Sequence, residues 1–350
     1  MKLKKFFAGV VAAAMMLTMG ATAAFAAEPT DSITVTKVYS LTNATNSSAS
    51  TETFHFALSK GAKITAGSDK VTYVTNSNAT TVPDFPAKYN DITVTSTAGG
   101  TDQTFTINYA DLGITRPGVY YYTLTEKNDG VAGVTYADPI ILVVTAGYNS
   151  DTDATLSYWG QLHESAAFGT KNAKFTNTYS AGQLQLTKTV TGNMGDRDYK
   201  FGFTVKLESD KPVNSALNLN GTVDNTIKFT KNTDTGKYEA TVTGIELKSG
   251  ETYNLSNIPY GVTYTVSENG EASGKLTVGE GDAAKTYEVT YTAKSADVES
   301  DVIKAGVTNS CGATIDTGVI LDNAPYIALL AIVAFGGVAL ILNKRRRDEE

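Results

Sequence analysis

Residues 33–41 read ITVTKVYSL and residues 184–190 read LQLTKTV, so a lysine stands in each stretch among regularly alternating apolar residues. Side chains of a β-strand alternate between its two faces, so Lys37 and Lys188 point into the same layer as their apolar neighbours. An unpaired charge is too costly to bury without compensation. The two stretches therefore predict β-strands whose lysines have partners inside a core.

The same alternation places two further polar groups on apolar faces in each half of the chain. In the first half they are Glu126, which ends an apolar run, and Asn177, which lies between two aromatic residues. In the second half they are Glu268 and Asn309, in the same order. Because the trio of lysine, glutamate and asparagine occurs twice, we expect its members to meet and to act together.

Length and composition indicate the architecture around these trios. The chain has 350 residues, enough for two domains with their own cores. Many short alternating runs are separated by turn signals at short spacing, which is typical of β-sandwiches. We therefore predict an all-β protein with two tandem immunoglobulin-like β-sandwich domains, at residues 28–181 and 182–312, separated by a short boundary at residues 180–182.

The two ends of the chain have a different character. Residues 1–26 combine early lysines, an apolar core and a small-residue cleavage site, which predicts a secretory signal peptide rather than an anchor helix. Residues 324–342 are apolar and long enough to span a bilayer, and the basic residues 344–347 follow them. By the positive-inside rule that end stays in the cytoplasm, so we expect the rest to be outside the membrane.

Several classes of function are disfavoured. The formal net charge of −7 argues against nucleic acid as a partner. The two histidines, His55 and His163, are far apart, and no cysteine cluster accompanies them, so we predict neither a metal site nor a cofactor. Residues 149–153 form a polar turn rather than a calcium loop. A glycosidase or another hydrolase is disfavoured, because the sequence pattern places no pair of carboxylates at a cleft. The single Cys311 excludes an intramolecular disulfide, and we expect an inert thiol or, less readily, a dimer link.

The chemistry of the trios follows from burial. Desolvation lowers the pKa of a lysine, so that it presents a neutral, nucleophilic amine, and raises the pKa of a glutamate, so that it can remain a neutral acid. Such an acid can hydrogen-bond to the asparagine carbonyl and transfer the proton that leaves with ammonia. The product would be a Lys–Asn isopeptide amide. The alternative is a buried hydrogen-bonded or ion-paired cluster in which no bond forms.

Several motifs carry a family resemblance, and they cover nearly the whole mature chain. In the first half they are ITVTKVY, PGVYYYTLTE and KFTNTY; in the second they are LTKTVTGNMGDRDYKFGFTVKL, LKSGETYNLSNIPYGVTYTVSE, GVTNS and the tail TGVILDNAPYIALL. The chain resembles the Gram-positive, sortase-assembled two-domain major pilins of the streptococcal pilin isopeptide-linkage family. The resemblance implies crosslinks Lys37–Asn177 and Lys188–Asn309, with Glu126 and Glu268 as their autocatalytic residues.

The resemblance also implies a sorting signal at residues 314–350. Sortase would cut between Thr317 and Gly318, although the family usually has proline where Asp316 stands. The amine that accepts the next subunit would come from Lys171, with Lys174 as the alternative. The simpler alternative for this end is a tail-anchored membrane protein.

The resulting functional hypothesis is a structural pilus-shaft subunit, not an enzyme. It is secreted, held as a membrane-anchored precursor, and then attached to the cell wall to support adhesion. Its expected partners are sortase, neighbouring pilin subunits, peptidoglycan and minor pilins. The alternative is a non-polymerising wall-anchored stalk or an adhesin.

Overall fold

A computed structural model of the protein describes residues 28–42, 50–66, 70–74, 86–165 and 170–313. The predicted signal peptide, the residues around Thr317 and Gly318, and the predicted membrane helix at residues 324–342 lie outside these residues. Within the described ranges no helix has the length and apolar character needed to cross a membrane.

The described chain consists mainly of β-strands, with three short 3₁₀ turns, Ala87–Tyr89, Tyr109–Leu112 and Gly281–Ala283. The strands before residue 170 are β1 (Ser32–Thr42), β2 (Thr51–Lys60), β3 (Ala62–Ala66), β4 (Lys70–Val74), β5 (Ile92–Thr97), β6 (Gln103–Asn108), β7 (Gly118–Glu126), β8 (Val134–Thr135), β9 (Ile140–Tyr148) and β10 (Leu156–Glu164). The later strands are β11 (Lys174–Thr191), β12 (Phe201–Ser209), β13 (Leu217–Leu219), β14 (Thr222–Asp224), β15 (Thr230–Lys231), β16 (Tyr238–Leu247), β17 (Thr252–Pro259), β18 (Thr263–Glu268), β19 (Lys275–Val278), β20 (Lys285–Tyr291), β21 (Ser295–Asp297) and β22 (Val302–Ser310). The predicted all-β class is confirmed.

In the first half of the described chain, two sheets pack face to face. One has the strand order β6–β1–β11–β8 and the other β10–β9–β7–β2–β5. Apolar side chains from both sheets, among them Phe54 and Tyr122, form one buried cluster. The alternation expected for residues 33–41 is present, since Val35, Lys37 and Tyr39 are all buried. We call this unit the first sandwich.

The second half repeats the arrangement, and we call it the second sandwich. One sheet has the order β14–β13–β17–β11–β22–β20–β19, and the facing sheet has the order β15–β16–β12–β18–β21. The buried cluster between them includes Leu184, Phe203, Val266 and Val307, which come from both sheets. Each sandwich therefore has its own apolar core.

Strand β11 belongs to both sandwiches. Its buried residues are odd-numbered up to residue 181 and even-numbered from Leu184 to Val190, so the buried face changes within one strand. The register against β17 shifts between Gly182 and Leu184, where two steps along β11 stand against three along β17, so the extra residue of this bulge lies in β17. A Cβ atom at residue 182 would lie 2.3 Å from the backbone oxygen of Ser300, so this position requires glycine. The boundary predicted at residues 180–182 thus lies inside a continuous strand.

Polar contacts also join the two sandwiches beside β11. The Asn214 side-chain amide donates to Glu52 Oε2 at 2.8 Å, and the Tyr179 hydroxyl donates to Asn257 Oδ1 at 3.2 Å. Glu52 and Asn257 are both buried, so these hydrogen bonds form away from competing water. They restrain rotation of one sandwich against the other about β11.

Candidate functional site

Lysine and asparagine of each trio lie on neighbouring parallel strands. β1 pairs with β11 and β11 pairs with β22, and in both pairs the lysine lies two residues before the position opposite the asparagine, Lys37 against Asn177 and Lys188 against Asn309. Neighbouring strands are about 4.8 Å apart and two residues advance a strand by about 6.6 Å, so the diagonal is about 8 Å. A lysine side chain can cover this distance, and the two halves use the same offset.

The glutamate of each trio comes from the facing sheet. Glu126 ends β7 and pairs with Phe56 of β2, and Glu268 ends β18 and pairs with Phe203 of β12. Side chains of both glutamates therefore reach across the sandwich toward the lysine and the asparagine. Sheet packing, and not local sequence, brings the third member of each trio into place.

In the first sandwich the three side chains share one oxygen atom. Lys37 Nζ donates to Glu126 Oε1 at 2.8 Å, and Asn177 Nδ2 donates to the same oxygen at 3.1 Å. Lys37 and Asn177 have no exposed surface, and Glu126 has 6%. The amine and the amide are therefore held against one carboxyl oxygen in a dry environment.

The second sandwich has the same contacts. Lys188 Nζ donates to Glu268 Oε1 at 3.0 Å, and Asn309 Nδ2 donates to that oxygen at 2.8 Å. Burial is equally complete, with 0% exposure for Lys188 and Asn309 and 3% for Glu268. The structure thus brings together the side chains that the sequence predicted to meet, in both halves of the chain.

Aromatic rings around each lysine were not predicted from the sequence. Lys37 Nζ lies 3.8 Å from the ring centroid of Phe54, and Lys188 Nζ lies 4.3 Å from that of Phe201. The second ring in each pair, Phe56 or Phe203, is also within about 6 Å, the range of a cation–π contact. The sequence does contain a signal for these rings, because a Phe-X-Phe triplet at residues 54–56 recurs at residues 201–203.

Burial changes the acid–base properties of these groups. Desolvation lowers the pKa of Lys37 and lowers the pKa of Lys188 to about 8. Desolvation also raises the pKa of Glu268, against the opposing effect of Lys188. Between Lys188 and Glu268 the transfer of a proton from ammonium to carboxylate therefore costs less than in water, and it leaves a neutral, nucleophilic amine beside a neutral acid.

The two sites differ at the second carboxyl oxygen. Glu126 Oε2 accepts a hydrogen bond from the Ala137 backbone N–H at 3.0 Å, whereas Glu268 Oε2 has no hydrogen-bond partner among the residues that the structure describes. The backbone N–H fixes the orientation of the Glu126 carboxyl group, and Glu268 lacks this contact.

The asparagine carbonyls complete the reactive arrangement. Within the described chain neither Asn177 Oδ1 nor Asn309 Oδ1 has a hydrogen-bond partner, although both are buried. Half a turn of either amide would place its carbonyl oxygen against the glutamate, where a protonated carboxyl could donate to it. Such a hydrogen bond would polarise the amide carbon toward attack by the lysine amine.

These shifts predict a pH-dependent stability for the Asn309→Ala variant, which keeps Lys188 and Glu268 but removes the amide. Between about pH 8 and 10.5 the folded lysine is neutral while the unfolded one binds a proton, so stability should rise with pH. Between pH 4.5 and the raised pKa of Glu268, the folded state binds one proton more than the unfolded state, so stability should fall as the pH rises. Urea unfolding across this range should therefore show a minimum between the two windows.

A matched control for this measurement is the double variant Asn309→Ala with Lys188→Met. Exposed lysines also titrate near pH 10, and the control retains them. The rise in stability above about pH 8 should be absent from the control. An equal rise in both variants would show that Lys188 is not its source.

The two candidate acceptor lysines lie on the surface of the first sandwich. Lys171 is exposed and forms an isolated bridge with His163 of β10. Lys174 is exposed at the start of β11, opposite Thr36, and lines a groove of about 390 Å³ together with Glu164. Neither lysine lies in a trio.

Across the described ranges, no three histidine, cysteine, aspartate or glutamate side chains converge on a site that could hold a metal ion. Cys311 is a free thiol of intermediate exposure at the end of the second sandwich.

Comparison with known proteins gives a different domain family for each half of the chain. Residues 33–180 match the family described as Spy0128-like isopeptide containing domain, and residues 182–311 match a domain family of unknown function, DUF7601. The protein named "Pilin" from Streptococcus pyogenes serotype M1 is 27% identical over 270 residues, which cover 71% of this chain and 73% of that protein.

Solved structures of similar proteins include two major pilins from the same organism. One, the major pilin of Streptococcus pyogenes, is 22% identical, with 81% of this chain and 99% of that chain covered and a TM-score of 0.46. Another, the T3.2 major pilin, is 19% identical, with 81% and 98% covered and a TM-score of 0.48. Residues 33–180 thus belong to the family of Spy0128-like isopeptide containing domains, and the chain is similar over most of its length to a pilin of Streptococcus pyogenes.

Proposed function

We propose that the protein is a structural shaft subunit of a cell-surface pilus, divided into domains at residues 28–181 and 182–312 and braced by two self-formed isopeptide bonds. Lys37 is joined to Asn177 with Glu126 as catalyst, and the corresponding second group is Lys188, Asn309 and Glu268. The observation that carries this proposal is the repeated geometry, in which amine and amide contact one buried carboxyl oxygen in each sandwich.

Each bond forms in a balanced exchange that needs no outside reagent. The glutamate receives the ammonium proton, and the neutral lysine Nζ attacks the asparagine Cγ. The glutamate then donates its proton to the leaving amide nitrogen and takes a second proton from Nζ, so that it is protonated again at the end. The C–Nδ2 bond breaks, ammonia leaves, and a secondary amide remains. Fixing the reactants at contact can remove about 7–11 kcal/mol of the barrier.

Polymerisation is the second part of the proposal. Sortase would cleave between Thr317 and Gly318 and transfer the Thr317 acyl group to Lys171, or to Lys174, of the next subunit. Support comes from the direction of β11, which advances about 56 Å from Lys174 to Thr191, with β22 parallel to it. The candidate acceptors thus lie in one sandwich, and the chain leaves the far end of the other. Head-to-tail links of this kind produce an open filament.

The proposed assembly also implies how the chain is exported, retained in the membrane and attached to the cell wall. A signal peptide at residues 1–26 would export the chain, the helix at 324–342 would retain the precursor in the membrane, and sortase would transfer the finished fibre to peptidoglycan. Minor pilins and a role in adhesion belong to the same proposal.

Two measurements on the native protein test the proposal. The intact mass of the purified ectodomain should fall below its sequence mass by two ammonia molecules, and wall extracts should give a ladder of multimers that Lys171→Ala abolishes. Lys174→Ala serves as the matched variant, and loss of the ladder there would identify Lys174 as the acceptor. An unmodified mass would refute the crosslinks, and a single band from the native chain would mean a non-polymerising stalk.

A further inference from the structure

The backbone of Glu268 takes part in a closed cycle of three hydrogen bonds. Its N–H donates to the Tyr291 hydroxyl oxygen at 3.0 Å, and that hydroxyl donates to Glu271 Oε2 at 3.4 Å. The Glu271 backbone N–H in turn donates to the Glu268 backbone oxygen at 3.2 Å. Both backbone groups of Glu268 are therefore bound within this hydrogen-bond cycle.

Tyr291 connects the two sheets that supply the second trio. It lies on β20, where Val289, two residues earlier, pairs with Asn309 of β22. Glu268 ends β18 in the facing sheet. The Tyr291 hydroxyl therefore holds the end of β18 against the sheet that carries the amine and the amide.

The protonation states of the cycle suit these hydrogen bonds. Glu271 Oε1 accepts from the Gly274 N–H at 2.7 Å, and Lys294 Nζ donates to Glu271 Oε2 at 3.4 Å. The hydrogen bond from Gly274 lowers the pKa of Glu271, so its carboxylate is charged and acts as an acceptor. Desolvation raises the pKa of Tyr291 to about 12, so its hydroxyl keeps the proton that it donates.

The two trios hold their glutamates in different ways. In the first sandwich the Ala137 N–H binds the carboxyl group of Glu126 directly. Glu268 Oε2 has no hydrogen-bond partner in the described part of the chain, so the position of its carboxyl group depends more on its backbone. Position matters for the reaction, because a misplacement of 1 Å can slow a reaction between fixed groups about 100-fold.

We infer that Tyr291 is a positioning residue for the bond between Lys188 and Asn309. Its hydroxyl holds the backbone of Glu268 so that the carboxyl group contacts both reactants, and Glu271 orients that hydroxyl. This inference rests on the proposed function, because it assigns Tyr291 a role in the proposed bond formation.

The rate of bond formation in the ectodomain tests this role. Newly made chain from cell-free synthesis is sampled at intervals, and mass spectrometry of its proteolytic peptides gives the fraction of each bond. Tyr291→Phe removes the hydroxyl and keeps the ring. Tyr287→Phe is the matched control, because Tyr287 lies on the same strand and its hydroxyl also accepts a backbone N–H, that of Asp196, at 3.1 Å.

We expect Tyr291→Phe to form the second bond at least about tenfold more slowly than the native chain, and Tyr287→Phe to stay within about twofold of it. The first bond is the internal reference and should form at the native rate in both variants. Glu271→Ala should also slow the second bond, whereas Glu271→Gln, which keeps an acceptor oxygen for the hydroxyl, should form it at close to the native rate.

Urea unfolding in the Asn309→Ala background, where the second bond cannot form, separates positioning from stability. Tyr291→Phe and Tyr287→Phe each remove a hydroxyl that binds a backbone N–H, so they should lower the midpoint by similar amounts. Equal rates of second-bond formation in these two variants would overturn the role of Tyr291 and leave the proposed function intact. A native chain that retains both ammonia molecules would refute the proposed bonds themselves.

Discussion

Replacing Glu268 by alanine is expected to leave Lys188 and Asn309 unjoined and to weaken the second sandwich severely. A bond between these residues closes a loop that contains almost the whole sandwich. In the chain-entropy description of crosslinks, a loop of this length contributes about 4–5 kcal/mol to the free energy of unfolding. Chemical denaturation should therefore show a much lower midpoint, and intact mass should show one ammonia molecule retained.

Two further variants isolate the role of the carboxyl group. Glu268→Gln keeps the shape and one hydrogen-bond acceptor but cannot transfer a proton, so it too should leave the bond unformed. Glu246→Ala removes an exposed glutamate of the same sandwich and should change neither the mass deficit relative to its own sequence nor the midpoint by a measurable amount. Full bond formation in both Glu268 variants would show that this glutamate only packs in the core.

The second large effect is expected under tension. If a subunit is held at residue 171 and at its C-terminal end, the covalent path follows β11 to Lys188, crosses the bond to Asn309 and leaves through β22. The native subunit should therefore not extend until a covalent bond breaks. The Asn309→Ala subunit should instead release residues 188–309 and lengthen by about 400 Å in a single-molecule pulling measurement.

The first bond gives the matched comparison. The proposed Lys37–Asn177 bond would join β1 to β11, so it would lie beside the path between the two attachment points and would not carry the pull. Asn177→Ala should lower the stability of the first sandwich yet add no comparable extension. Equal lengthening of the two variants would mean that tension enters the molecule elsewhere than residue 171.

Sequence alternation by itself determined which polar side chains of the candidate sites are buried. It predicted that Lys37, Lys188, Asn177 and Asn309 face apolar cores, because period-two side-chain direction is a local property of a strand. The structure confirms this burial for all four side chains. The all-β class could also be predicted from the sequence, since recurring turns and β-branched runs are local signals.

Only the tertiary structure decided how the trios are assembled. Each glutamate reaches its partners across the space between two sheets, and each lysine is covered by phenylalanines from the facing sheet. The Ala137 N–H that distinguishes Glu126 from Glu268 is a backbone group, so no side-chain pattern could indicate it.

The continuity of β11 across the boundary between the two sandwiches likewise could not be predicted from the sequence. A glycine next to a change in alternation resembles the end of a strand, yet here Gly182 allows a close approach to Ser300, and the bulge opposite it lies in β17. Whether a chain turns or continues at such a point depends on the strands that pair with it on either side. Those pairings come from distant residues, and for that reason the sequence determined which side chains are buried while the tertiary structure decided which of them meet.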